Sequence, residues 1–278
     1  MRTHTARSRR RRRAAPWVFV ALLLTAWWLA VRFTGVPAYL LPGPDAVVAH
    51  LVGSLTNPAI WPFIGETLVE AVGGCIVGVA VAIPLAIAIH RLPLLDAAVS
   101  PLLGATQAIP AIALAPLIVL WVGYGIGPIM MLCALLVFFP ILVSSVVGLS
   151  LVDPSVIAAA RVDGASSAAL LTHIELPLAL PTMLAGVRNG FALSVTGAVV
   201  GEMVICGRGL GQLLTAQRDA VNTAGMMGTI VVLCVMASGL YALVRAWEAR
   251  ARRLVDPDGH TGTDVDALAL VLENQEKG

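Results

Sequence analysis

Apolar residues in this chain come in long uninterrupted runs rather than in the alternation of a half-buried strand or the stripe of a surface helix. A spanning helix needs about 20 mainly apolar residues. Six stretches meet that length or approach it: Pro16 to Phe33, Ile64 to Ile89, Ala97 to Val122, Gly127 to Leu149, Thr182 to Ile205 and Gly225 to Trp247. The pattern predicts an all-α polytopic membrane protein with six transmembrane helices. Pro84, Pro110, Pro116 and Pro140 fall inside the second to fourth runs, where neighbouring helices can satisfy the freed carbonyls. Gly73, Gly74 and Gly78 offer a small-residue face for close helix contact.

Composition agrees. Hydrophobic residues are 58% of the 278 positions and charged residues 12%, against roughly half and a quarter in soluble domains. The net charge of +2 says little, because seven Arg lie within the first thirteen residues and acids dominate after Asp256. The distribution of cations is more informative. An Arg-rich N-terminus on the inside also places Arg91, Arg161 and the cluster Arg245, Arg250, Arg252, Arg253 inside, while the loop from Gly35 to Pro62 has no Lys or Arg. Arg208 and Arg218, in the last outer loop, are the exception. Both termini are expected in the cytoplasm of a bacterial cell, with the bilayer as the first partner.

Basic residues before Trp17 to Val31 also suit a secretory signal, but Ala30-Val31-Arg32 puts a bulky cation where a small residue is wanted. The twin-arginine pattern at Ser8-Arg9-Arg10 continues into more Arg. An uncleaved first helix fits better. The domains expected are a basic cytoplasmic segment (1–15), a six-helix transmembrane domain (16–253) with a cytoplasmic segment at 153–181, and a disordered cytoplasmic tail (254–278).

The polar residues restrict the chemistry. Cys75, Cys133, Cys206 and Cys234 are scattered singly and the five His form no ligand motif, so no metal site is expected. The lone lysine is Lys277, so the chain lacks the Lys-Ser/Thr of a phosphate-binding loop, and energy from ATP would have to come through a separate subunit. No catalytic pair lies at mid-depth, and no ladder of acids and His forms a proton relay. Nothing points to nucleic acid. Glu66, Glu70 and His90 sit near the ends of the second run, and Arg188 and Glu202 within the fifth. The last two, as intramembrane charges, are candidates for lining a translocation pathway or for snorkelling. Fourteen positions separate them, about 21 Å along a helix, so they share a face but form no ion pair within it.

One cytoplasmic segment is longer than a turn requires: DPSVIAAARVDGASSAALLTHIELPLALP, from Asp153 to Pro181. Asp153 or Ser155 can cap a helix reaching about Ala169, Gly164 allows a break, and Leu176-Pro177 with Pro181 should end it before the fifth span. A small-residue helix with few charges suits a groove on a partner, or a connector lying on the surface.

Ala158-Ala159-Ala160, Gly164, Ile174 and Leu176-Pro177 reproduce the spacing of the EAA motif, E-A-A-x3-G-x9-I-x-L-P, with Ala158 where the motif has Glu. Other blocks follow in order: Leu41-Pro42-Gly43-Pro44, the run from Ala108 to Leu117, Phe138-Phe139-Pro140-Ile141, Val152-Asp153-Pro154 and Gly207-Arg208-Gly209-Leu210-Gly211. From residue 40 to 250 the chain resembles binding-protein-dependent ABC importer permeases of the nitrate/sulfonate/taurine branch. The resemblance implies a type I importer fold and a second permease copy, as a homodimer. It also implies a cytoplasmic ABC ATPase dimer holding ATP and Mg, no cofactor on this chain, and an extracytoplasmic substrate-binding protein. The EAA-type residues would form the coupling helix. The solute expected is a small anion such as a sulfonate, taurine or nitrate, or a vitamin-precursor pyrimidine. A membrane protein that recruits a cytoplasmic partner without transporting anything is the alternative.

Overall fold

The computed structural model describes the backbone of residues 4–106, 110–205 and 207–255, and side chains within these from residue 18 to 250 except 100, 102–106 and 249. Every regular element among them is helical. The long apolar runs leave a chain in a bilayer no alternative, since every backbone polar group must be paired within its own segment.

Helix α1 (His4–Phe33) carries the Arg run straight into the first apolar stretch. Helix α2 (Pro44–Thr56) is a short segment with Pro in its first turn. Helix α3 (Ile60–Arg91) crosses in 32 residues and ends on Arg91, a cation that suits the negative end of a helix. Helix α4 (Pro93–Thr106) leads towards a 3-10 turn (Ala111–Leu114) and α5 (Ala115–Val122). Helix α6 (Ile126–Ser150) follows, then α7 (Pro154–Val162) and α8 (Ser167–Leu170). A π turn (Leu171–Glu175) joins α8 to α9 (Leu176–Ile205). Helices α10 (Leu210–Asp219) and α11 (Thr223–Val255) complete the described chain.

Among the described residues four helices are long and apolar enough to cross a membrane: Ile60–Arg91, Ile126–Ser150, Ser167–Ile205 and Thr223–Glu248. Val18–Phe33 and Ala111–Val122 are shorter apolar helices at the first and third expected spans. The third span is therefore not one helix from Ala97 to Val122. Pro110, with ψ 83°, is not helical and stands directly before the 3-10 turn, and its missing N–H suits such a break. Helix α5 then covers only about 12 Å at 1.5 Å per residue.

The second correction concerns Pro177 and Pro181. They were expected to end the polar segment, yet α8, the π turn and α9 form one continuous helix from Ser167 to Ile205. The wide π turn directly before Pro177 relaxes the hydrogen-bond ladder where the ring would otherwise collide with it. The fifth span thus begins inside the polar segment rather than at Thr182.

Helix α6 lies between α3 and α9, and these three hold the core. One cluster joins Ala71, Ile129, Leu132, Cys133, Val195 and Ala198; another joins Cys75, Ala82, Ile89, Val137 and Ile141. The small-residue face works as expected: a Cβ on Gly74 would stand 2.3 Å from Cys133 Cβ and 2.8 Å from the Met130 carbonyl. Helix α11 packs on α9, α2 and α10. The expected tail lies, from residue 256 onwards, outside the described residues, as do Cys206, Ala108 and Ile109.

Candidate functional site

The polar segment forms its own unit at one end of the molecule. Asp153 caps α7, its carboxylate accepting from the Ser155 N–H at 2.8 Å. Hydrogen bonds from the Ser155 backbone, then from its side chain, hold the Asp153 carboxyl below the usual range. The end of α7 is a Schellman motif: Ala165 N–H donates to the Ala160 carbonyl at 3.0 Å, and Gly164 N–H to Arg161 at 3.1 Å. Gly164 adopts φ +85°, a left-handed conformation that explains why glycine stands there. Ser166 caps α8 through Ala169 N–H at 3.2 Å.

Helix α7 buries none of its residues. Ala158, Ala159 and Gly164 are exposed, Ala160 is half-buried, and Val162 is 88% exposed. Ile174, Leu176 and Pro177 are half-buried where the segment rejoins the core. The motif positions therefore divide into an outward part on α7 and an inward part around the π turn.

The inward part is pinned by an ion-pair cluster. Glu175, in the π turn, is 2% exposed, and its Oε2 accepts from an Arg91 guanidinium nitrogen at 2.8 Å. The same nitrogen donates to the Ser167 carbonyl at 3.1 Å, and His90 Nε2 lies 3.4 Å from Glu175 Oε2. Sequence reasoning missed Glu175 as a partner. A lone acid two positions before Pro177 in an apolar stretch was the available signal, but its cation, Arg91, comes from α3, 84 positions away.

Arg188 and Glu202 are brought to different partners. Arg188, on α9, pairs with Glu248 of α11 at 3.0 Å and lies 5.0 Å from the centre of the Tyr241 ring. Glu202 is 1% exposed near the other end of α9. One of its oxygens accepts from the Thr67 hydroxyl at 2.6 Å and the other from Gly211 N–H at 2.5 Å. Thr67 in turn accepts from Leu210 N–H at 2.8 Å. Glu70, also 1% exposed, lies beside Glu202 in the same buried cluster. The network ties α3, α9 and the start of α10 together. It also accounts for the Gly-rich run at 207–211: a Cβ on Gly209 would fall 1.9 Å from a Glu202 oxygen.

At this second end, His50 contacts Asn222 at 3.0 Å, and the Thr223 hydroxyl donates to the Tyr39 carbonyl. The 35–62 loop and α10 thus cluster opposite the 153–181 segment. Among the described residues no group of three or more His, Cys, Asp or Glu could hold a metal ion.

Spanning helices packed as a bundle, with a capped and exposed helix presented at one end and charged side chains tied between helices, are the architecture of a polytopic membrane protein with a docking element. Residues 74–254 match the model of the "Binding-protein-dependent transport system inner membrane component" family, and the chain belongs to that family. It is 37% identical over 226 residues to the riboflavin transport system permease protein RibX of Chloroflexus aurantiacus, covering 81% of this chain and 84% of that one. It is 31% identical to the formylaminopyrimidine transport permease protein ThiX of Halalkalibacterium halodurans (84% and 92% covered). It is 28% identical to the taurine transport system permease protein TauC of Escherichia coli (83% and 86%). Among solved structures, a chain of the MetNI methionine ABC transporter in an inward-facing conformation superposes with TM-score 0.60. That match covers 72% of this chain and 99% of that chain, at 22% identity. The fold is that of a type I ABC importer permease. The chain is a multi-pass inner-membrane permease subunit, not an enzyme, and the ATPase is a separate chain.

Proposed function

We propose that this chain forms, with a second copy of itself, the translocation pathway of an ATP-driven importer, with both termini in the cytoplasm. The exposed α7 helix carries the reading. An apolar helix that is capped at both ends and buries none of its own residues suits the groove of a partner. The partner proposed is a cytoplasmic ABC ATPase dimer, which would bind ATP and Mg. Ala158, Ala159, Ala160 and Gly164 form the docking face, and Ile174, Leu176 and Pro177 seat the segment on the bundle. Ala158 replaces a motif Glu, so the contact rests on close backbone approach. A binding protein on the opposite face would deliver solute at the end formed by α2, α10 and the 207–211 loop. Arg188 and Glu202 would serve the pathway by fixing α9 against α11 and α3, since both are engaged with those helices.

Among the solutes considered, a nitrogen heterocycle of vitamin type is favoured over a sulfonate. The riboflavin and formylaminopyrimidine permeases are 37% and 31% identical, the taurine permease 28%. Co-purification of the tagged chain with its ATPase and binding protein tests the assembly, and melting of that binding protein with riboflavin, formylaminopyrimidine or taurine tests the solute. Gly164→Leu has open space around it within the chain but must hold φ +85°, which is unfavourable by about 1–2 kcal/mol for a side chain. It should strip the ATPase from a membrane domain that still inserts. Undiminished ATPase retention would overturn the docking role, and taurine alone stabilising the binding protein would overturn the solute assignment.

A further inference from the structure

We propose that Arg91 and Glu175 form a joint that makes α3 a strut, transmitting movement of the 153–181 segment to the 207–211 loop on the opposite face. The proposal rests on the coupling role of that segment. The joint is one guanidinium nitrogen that holds both the first residue of α8, through the Ser167 carbonyl, and the last residue of the π turn, through Glu175. The segment is thereby gripped at both ends of its inward part by the last residue of α3.

Helix α3 runs from that joint without interruption to Thr67 and Glu70. Twenty-four positions separate Arg91 from Thr67, about 36 Å at 1.5 Å per residue. At the far end the Thr67 hydroxyl accepts from Leu210 N–H and donates to Glu202, which also holds Gly211. One rigid element is hydrogen-bonded to the proposed ATPase-facing segment and to the proposed binding-protein-facing loop. The Arg91–Glu175 contact is poorly suited to mere adhesion. Burying a carboxylate beside a cation costs desolvation that a pair of apolar side chains would avoid. Its advantage is direction: a buried charge pair has few alternative geometries, so displacement of one partner carries the other with it.

The test uses the full complex of this chain with its ATPase and binding protein. Hydrogen exchange at residues 207–215 is compared without nucleotide and with ATP plus vanadate, a probe that needs no identified solute. In the native complex, exchange should change at 167–175 and at 207–215 together. In Arg91→Gln and in Glu175→Gln the ATPase should remain bound and hydrolyse ATP, and exchange at 167–175 should still respond. The response at 207–215 should be lost, and stimulation of hydrolysis by the binding protein should fall about tenfold. The double variant should be no worse than either single one, because both act through the same contact. Arg91→Lys, which keeps the charge, should retain the response. Should Glu175→Gln fail to insert, Arg91→Gln against Arg91→Lys carries the comparison, since Arg91 is partly exposed. An undiminished response at 207–215 in Arg91→Gln, or additive losses in the double variant, would overturn the strut. Failure of the underlying coupling role shows separately, as an ATPase still bound to Gly164→Leu.

Discussion

Replacing Glu202 by Ala should destabilise the end of the bundle formed by α10 and residues 207–211 while leaving the 153–181 end intact. Glu202 is 1% exposed and meets three partners: the Thr67 hydroxyl, Gly211 N–H and Glu70. Alanine leaves the Gly211 N–H without its acceptor and the Glu70 carboxyl without its polar neighbour, while the Thr67 hydroxyl can turn to the Phe63 carbonyl at 3.1 Å. Each orphaned buried group costs about 1–3 kcal/mol. Two such groups give about 2–6 kcal/mol before any cavity term, a large part of the usual 5–15 kcal/mol of a folded domain. Glu202→Gln keeps one carbonyl oxygen and the volume, so about 1–3 kcal/mol is expected for the single bond it turns against Gly211 or Thr67. The assay is thermal melting of the purified chain in detergent, with hydrogen exchange at 207–215 and ATPase co-purification alongside. The expected order of melting is native, Glu202→Gln, Glu202→Ala, with early exchange confined to 207–215 and the ATPase retained. Native-like melting of Glu202→Ala would refute the argument, because it would mean that water already reaches those groups.

Two further predictions follow from the same reasoning. Arg188→Lys should keep the pairing with Glu248 but lose the planar face over Tyr241, and Arg188→Ala should lose both. Uptake and melting should therefore fall in the order native, Lys, Ala, with the Lys variant down by about 0.5–2 kcal/mol; equal melting of Lys and native would remove the ring contact from the account. Gly74→Ala should cost about 1–3 kcal/mol by forcing α3 from α6, because its Cβ would meet Met130 backbone as well as Cys133. Gly65→Ala, with open space around it, should be neutral or gain up to about 1 kcal/mol from helix propensity, and equal losses at both sites would overturn the packing argument.

What the sequence determined by itself was whatever depends on local solvation and local backbone chemistry. Runs such as Gly127 to Leu149 had to be spanning helices, since no other local structure satisfies the backbone in lipid. Asp153, Gly164 and the caps around them were legible because a cap or a left-handed residue is set within four or five positions. Family membership was legible in the ordered blocks from residue 40 to 250, and the matched relatives and family model bear it out. The partners of the buried charges were not legible. Arg91 and Glu175 are 84 positions apart, Thr67 and Glu202 135, and Arg188 and Glu248 60. Pairing across such distances is decided when helices pack, because burial demands a partner but leaves its identity to whichever helix face arrives beside it. Tertiary structure likewise decided how Pro177 is carried. The π turn at Leu171–Glu175 keeps the helix continuous through it, and the neighbouring Arg91 holds that turn in place.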